Sequence, residues 1–266
     1  MNLSKALVTG GTSGIGLAIC EQLVSRGIKV YSVSRNPEKF QSREKYHLLK
    51  LDLSDLNAIP EFGNDFVKKF GVPDLIINNA GYGAFFEWKD FPKVDIEKQI
   101  NTLFTAPLLL CRSFAPIMED RGSGTIVNIT SLATLFPLPY MPVYNAGKSA
   151  LSSFTQSMEL ESRKVKWIDF RLGDVRTNFN KSAPKQNFEG QTESMKSAWI
   201  QIEKQLDESP EPLVVARQIL KKVYGRKSGR FYGGGFFQAR IAPILGSLFF
   251  NSIIQKILKI RYSLKI

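Results

Sequence analysis

Two periods of apolar and polar residues alternate along this chain. Residues 5–9, Lys-Ala-Leu-Val-Thr, form a short apolar run, the pattern of a strand buried on both faces. Over residues 17–26 the apolar positions return at helical spacing, and Gly27 closes the segment. Further strands are predicted over 28–34, 47–53, 74–78, 125–130, 165–172 and 229–232. Helices are predicted over 55–70, 93–118, 142–163 and 213–224, with Pro142 in a first turn. Pro107 lies inside the second of these and is expected to kink it or end its first segment. Residues 178–210 are polar, carry Pro184, Gly190 and Pro210, and read as one long irregular loop. Strands alternating with helices, without repeat or linker, predict an α/β fold: one doubly wound, Rossmann-type parallel sheet. Its core is expected over 1–238, with an extension over 239–266.

Composition narrows the classes. With 266 residues, 43% hydrophobic and 23% charged, the chain suits one full-sized globular unit. Cys20 and Cys111 form no C-x-x-C and read as buried structural thiols in a reducing compartment. His47 is the only histidine, so a His-rich metal site is excluded by count, and a strand-edge role is expected for it. The start enters a strand at once, which predicts no leader peptide, and no run of about 20 apolar residues suggests a spanning helix. The expected location is cytoplasmic. Net charge is +12 and uneven: up to Glu211 there are 25 Lys/Arg against 24 Asp/Glu, and beyond it 11 basic residues and no acidic one. That is a local electrostatic surface.

Candidate chemistry follows the predicted strands. Gly10, Thr12, Ser13, Gly14, Ile15 and Gly16 lie between the first strand and its helix, the setting of a dinucleotide-phosphate turn. Asn79-Ala80-Gly81 follows the fourth strand, where ligands bind in such sheets. Tyr144 and Lys148 stand four apart on one helix face, where an ammonium favours a phenolate.

Thr9-Gly10-x-x-x-Gly14-x-Gly16, Asn78-Asn79-Ala80-Gly81, Asn101, Ser131 and Tyr144-x-x-x-Lys148 occur in this order. Together they resemble the short-chain dehydrogenase/reductase family over about residues 4–235. The resemblance implies Tyr144 as general acid/base, Ser131 orienting the substrate carbonyl, Lys148 lowering the Tyr144 pKa and binding the nicotinamide ribose, and Asn101 holding a relay water. It also implies that Asp52, with Leu53, contacts the adenine, that Val175 and Thr177 hold the carboxamide, and that members assemble as dimers or tetramers through the helices carrying Asn101 and Tyr144. Leu172 stands where the family usually has proline, which predicts a less rigid lead-in to Gly173. Ser34-Arg35 at the end of the second strand supplies a hydroxyl and a cation and no acid, which suits the 2′-phosphate of NADP(H). The expected activity is NADP(H)-dependent hydride transfer to or from a carbonyl; the rival is a membrane-associated NADP(H) sensor without turnover.

In the tail, Leu245, Leu248, Phe249, Ile253, Ile257, Ile260 and Leu264 recur at three- and four-residue steps, with Lys256, Lys259, Arg261 and Lys265 among them. A basic amphipathic helix suits an anionic membrane surface, packing on the core or a second subunit being the alternative. On the membrane reading the protein is peripheral and its substrate a lipid or other hydrophobic carbonyl, which Phe85-Phe86-Glu87-Trp88 fits as an apolar pocket. No nucleic-acid reading module is present.

Overall fold

The computed structural model describes residues 3–179, 183–248 and 251–264. Seven parallel strands form one sheet in the order β3-β2-β1-β4-β5-β6-β7. They are β1 (Lys5–Thr9), β2 (Lys29–Ser34), β3 (Tyr46–Lys50), β4 (Leu75–Asn78), β5 (Gly124–Ser131), β6 (Val165–Leu172) and β7 (Gly229–Gly233). The doubly wound expectation therefore holds. The strand order reverses between β1 and β4, which opens a crevice beyond their carboxyl ends.

Both sheet faces are covered, which is why the strands read as unbroken apolar runs. On one face α1 (Gly14–Val24) and α7 (Pro212–Tyr224) bury Ile19, Leu23, Val215, Ile219 and Val223. On the other, α2 (Ala58–Phe70), α4 (Ala106–Arg121) and α5 (Pro142–Glu161) pack; Phe66, Leu110, Phe114 and Met118 lie in that core. Cys20 is buried on the first face and Cys111 on the second, their thiols pushed up to about 12 by burial, which makes them structural. His47 sits on the edge strand β3, stacked on Tyr31.

Three expectations are corrected, and the break expected in the 93–118 helix is found. Residues 178–210 are not one irregular loop: α6 (Glu193–Asp207) occupies the second half. The Thr192 hydroxyl caps it by accepting from Met195 N, and Met195, Ala198 and Ile202 fall on one buried face. The 93–118 helix is a composite of α3 (Lys93–Ile100), a π turn over Asn101–Thr105, and α4. Pro107 has no N–H for the carbonyl four residues back, and the wide turn just before it absorbs that misfit. The whole run, Lys93–Arg121, is long and apolar enough to cross a bilayer, unlike the sequence expectation. Its apolar side, however, is spent on the sheet through Leu103, Leu110, Phe114 and Met118.

The tail is also not one helix. A π turn over Phe237–Ile241 leads into α8 (Ala242–Leu248), and α9 (Asn251–Arg261) follows. Phe249 and Lys265 lie outside the described residues. Ile254 and Tyr262 are buried, and with Leu258 they pack near α6, while Leu248, Ile253, Ile257 and Ile260 face outward. Adjacent apolar pairs such as Ile253-Ile254 and Ile257-Leu258 give α9 two apolar sides, because neighbours on a helix point about 100° apart.

Candidate active site

The glycine turn after β1 is built for close approach. Gly10 and Gly14 have φ of 68° and 52°, the left-handed region that favours glycine. A Cβ on Gly16 would lie 2.1 Å from the Gly10 carbonyl oxygen. Asn79 locks this turn to β4: its side-chain amide donates to Thr9 O at 3.0 Å and its backbone N–H to the Thr9 hydroxyl at 3.0 Å. The N-terminus of α1 is thus fixed at the crevice with its first N–H groups directed toward it.

Buried polar bonds hold α5, the helix of Tyr144 and Lys148, against β5 and β6. Asp169 on β6 accepts from Thr130 on β5, from Ser152 on α5 at 2.7 Å and from Arg171 at 3.1 Å. Asn128 bridges β4 and α5 by accepting from Asn78 and donating to Thr155, both at 2.8 Å. A charge-assisted network of this kind fixes the helix register, which apolar packing alone specifies less sharply.

These elements converge on one cavity of about 1020 Å³ along the carboxyl edge of the sheet. Every cofactor residue read from the sequence lines it, from Gly10, Thr12, Ser13, Gly14, Ile15 and Gly16 through Ser34, Arg35, Asp52 and Leu53 to Asn79, Ala80, Gly81, Val175 and Thr177. Ser131, Tyr144 and Lys148 line it as well. Asn101 does not: its amide donates to Ser54 O at 3.3 Å, inside the π turn, while Lys98 and Thr102 reach the cavity. The glycine cradle, the Arg35 cation and the length of the crevice fit a dinucleotide.

Burial holds the Tyr144 hydroxyl above the usual phenol range, the Ser131 hydroxyl beside it works the other way, and the Asp174 charge adds to the rise. Lys148 is 4% exposed, donates to Ile129 O at 2.7 Å, and burial brings its ammonium down to about 8. Below that pH it is a full cation, which favours the phenolate of a neighbouring tyrosine.

The lead-in to Val175 is firmer than the missing proline suggests. Gly173 N bonds Gly233 O at 2.9 Å, and Asp174 N bonds the Gln238 side chain at 2.9 Å. Sequence reading missed Lys39, Asp174 and Gln238, and the apolar wall of Ile202, Leu206, Ile254, Leu258 and Tyr262, all lining the cavity. Lys39, four after Arg35, carried a readable signal; Asp174 and Gln238, 64 residues apart, carried none.

The family model described as short chain dehydrogenase matches residues 4–187. The chain therefore belongs to the short-chain dehydrogenase/reductase family of oxidoreductases. A 3-ketodihydrosphingosine reductase from Bacteroides thetaiotaomicron is 25% identical over 97% of this chain and 98% of its own. Other curated relatives match over 55% to 68% of their length. Among solved structures, a short-chain dehydrogenase from Streptomyces avermitilis superposes with a TM-score of 0.82 at 23% identity, covering 97% of each chain. A metagenomic short-chain oxidoreductase in complex with NADP gives 0.69 at 25% identity, covering 86% of this chain and 96% of that one.

Proposed function

We propose that the protein reduces the carbonyl of a hydrophobic substrate with NADPH. The observation that carries this is the convergence of Ser131, Tyr144 and Lys148 with the glycine turn on one cavity. The nicotinamide, when bound, supplies the hydride. Ser131 holds the carbonyl oxygen, and Tyr144, half-buried with its proton retained, gives that proton as negative charge develops on the oxygen. Lys148 serves the return of the proton and the placement of the ribose; Asn101, outside the cavity lining, acts only through a relay water. Tyr144→Phe is expected to keep NADPH binding and lose turnover by at least about 100-fold on a panel of ketones and 3-oxoacyl compounds. Retained turnover would remove Tyr144 as proton donor.

The choice of NADP(H) rests on Arg35 at the end of β2 and Lys39 just beyond, two exposed cations lining the same end of the cavity without a neighbouring acid on that strand. Arg35→Ala is expected to weaken NADPH binding about tenfold and leave NADH binding nearly unchanged. Equal NADPH preference in both proteins would overturn the assignment. A lipid or long-chain ketone is supported by the apolar wall and by the name of the Bacteroides relative. The outward apolar face of α8 and α9 supports peripheral binding to an anionic membrane surface. Assembly as a dimer or tetramer through the helices of Asn101 and Tyr144 completes this reading.

A further inference from the structure

The wall of the cavity beyond Tyr144 is largely apolar, with Gln205, Asp207, Gln238 and Arg261 also along it. Met141, Ile202, Leu206, Ile254 and Leu258 surround the reaching space, and Asp174 stands among them on the loop after β6. A carboxylate in such a wall is costly unless it is held and used. Gln238 holds it at two points: its amide donates to Asp174 Oδ2, and its carbonyl oxygen accepts from Asp174 N at 2.9 Å. The clamp is tightly seated, since a Cβ on Gly173 would lie 2.3 Å from Gln238 Oε1. Gln238 itself lies in the π turn Phe237–Ile241, a local widening of the kind found at functional sites.

The clamp uses one oxygen of the carboxylate. No described group donates to the other, Oδ1, and it is not sealed from the cavity. Asp174 and Tyr144 line the same cavity, and the Asp174 charge disfavours ionisation of the Tyr144 hydroxyl. Arg261, from α9 on the far side, acts on Asp174 through space without forming an ion pair with it. Burial raises the Asp174 pKa, and the Gln238 hydrogen bond and then the Arg261 charge work against that rise.

We infer that Asp174 is a substrate-recognition residue, clamped by Gln238 to accept a hydrogen bond from an N–H or O–H group carried beside the carbonyl that Tyr144 protonates. The inference rests on the proposed carbonyl reduction and names its substrate class: apolar ketones with an amine or hydroxyl next to the reacting carbon. An ionised carboxylate only accepts, so it rewards a donor and penalises a substrate that leaves it desolvated and unpaired.

The experiment uses full-length protein and a matched series of long-chain ketones with an amine, a hydroxyl or hydrogen on the carbon beside the carbonyl. Wild type is expected to show a kcat/KM at least tenfold higher for the best donor-bearing ketone than for the plain one. In Asp174→Asn, which keeps an oxygen for the Gln238 amide, that ratio is expected to collapse toward one. A change in Tyr144 acidity moves all three substrates alike and cancels in the ratio. An undiminished ratio, or no preference in wild type, overturns the inference. The amine and hydroxyl arms decide which donor is used. The corresponding alcohols are also titrated calorimetrically into protein saturated with NADPH, which reads recognition without turnover. Donor-dependent binding that is lost in Asp174→Asn, in a protein inert toward every ketone, would reject the reductase reading and keep the recognition site. Equal binding of all three alcohols would reject the site itself.

Discussion

Lys148 concentrates the conflict between stability and chemistry in one side chain. It is an ammonium buried in the core of the site, bonded to one backbone carbonyl, with its pKa brought from 10.5 to about 8. Below pH 8 the folded protein bears the full cost of burying that charge. Between pH 8 and 10.5 the folded state sheds the proton while the unfolded chain keeps it, so this group's contribution to stability rises with pH. Cys20 and Cys111 act in the opposite sense above about pH 9, because their folded values are raised. Comparison with Lys148→Met isolates the lysine. From pH 7 to 9, wild type is expected to gain about 1 kcal/mol relative to the variant in urea denaturation. The variant is also expected to be inactive. Parallel stability profiles would mean that Lys148 keeps its proton in the fold throughout this range, with no lowered pKa. The pairing of Tyr144 with Lys148 was legible as spacing on a helix, but the effect of burial on each group was not. Spacing places two groups on one face; burial, which sets the sign here, depends on what the rest of the chain lays over them.

At the scale of elements, the sheet and the glycine turn were legible because both are local. β1, β5 and β6 are apolar runs whose bounds the sequence places within a residue or so. α6 was hidden by its company. Met195, Ala198 and Ile202 carry the helical period and Thr192 the cap, but Pro184, Gly190 and the polar residues around them set the tone of the segment. The π turn at Asn101 shows the reverse limit. Pro107 announced a disturbance, and only the packing of Leu103 and Ala106 on the core, both fully buried, decided that the chain would widen and continue. The clamp of Asp174 by Gln238 joins the loop after β6 to the turn after β7. Strand order brings those together, and no local pattern encodes strand order, so a one-dimensional reading had no means of finding the pair.

Over the whole molecule, the tail lies against the catalytic cavity and also presents a second face outward. Leu245, Ile254, Leu258 and Tyr262 close the cavity from inside. Phe236, Leu248 and Ile260 are 78%, 71% and 67% exposed, and Ile244, Ile253 and Ile257 stand with them on the outer surface. Ile257 belongs to both sides, lining the cavity while half of it is exposed, so the apolar lining runs continuously to the surface. A contiguous patch of this kind marks an interaction surface, and its setting of Arg240, Lys256, Lys259 and Arg261 with no acid after Glu211 matches an anionic partner. An apolar patch ringed by one sign of charge binds a bilayer through two separable terms, burial of the patch and attraction to the headgroups. The protein is therefore expected to sediment with vesicles containing phosphatidylserine and to release partly as salt rises. The triple variant Leu248→Glu, Ile253→Glu, Ile260→Glu leaves Ile254, Leu258 and Tyr262 on the core and is expected to fold normally, with vesicle binding reduced at least tenfold. If the same variant instead keeps vesicle binding and changes the molar mass measured by light scattering, the outer face is a contact between copies of the chain, and the membrane assignment fails.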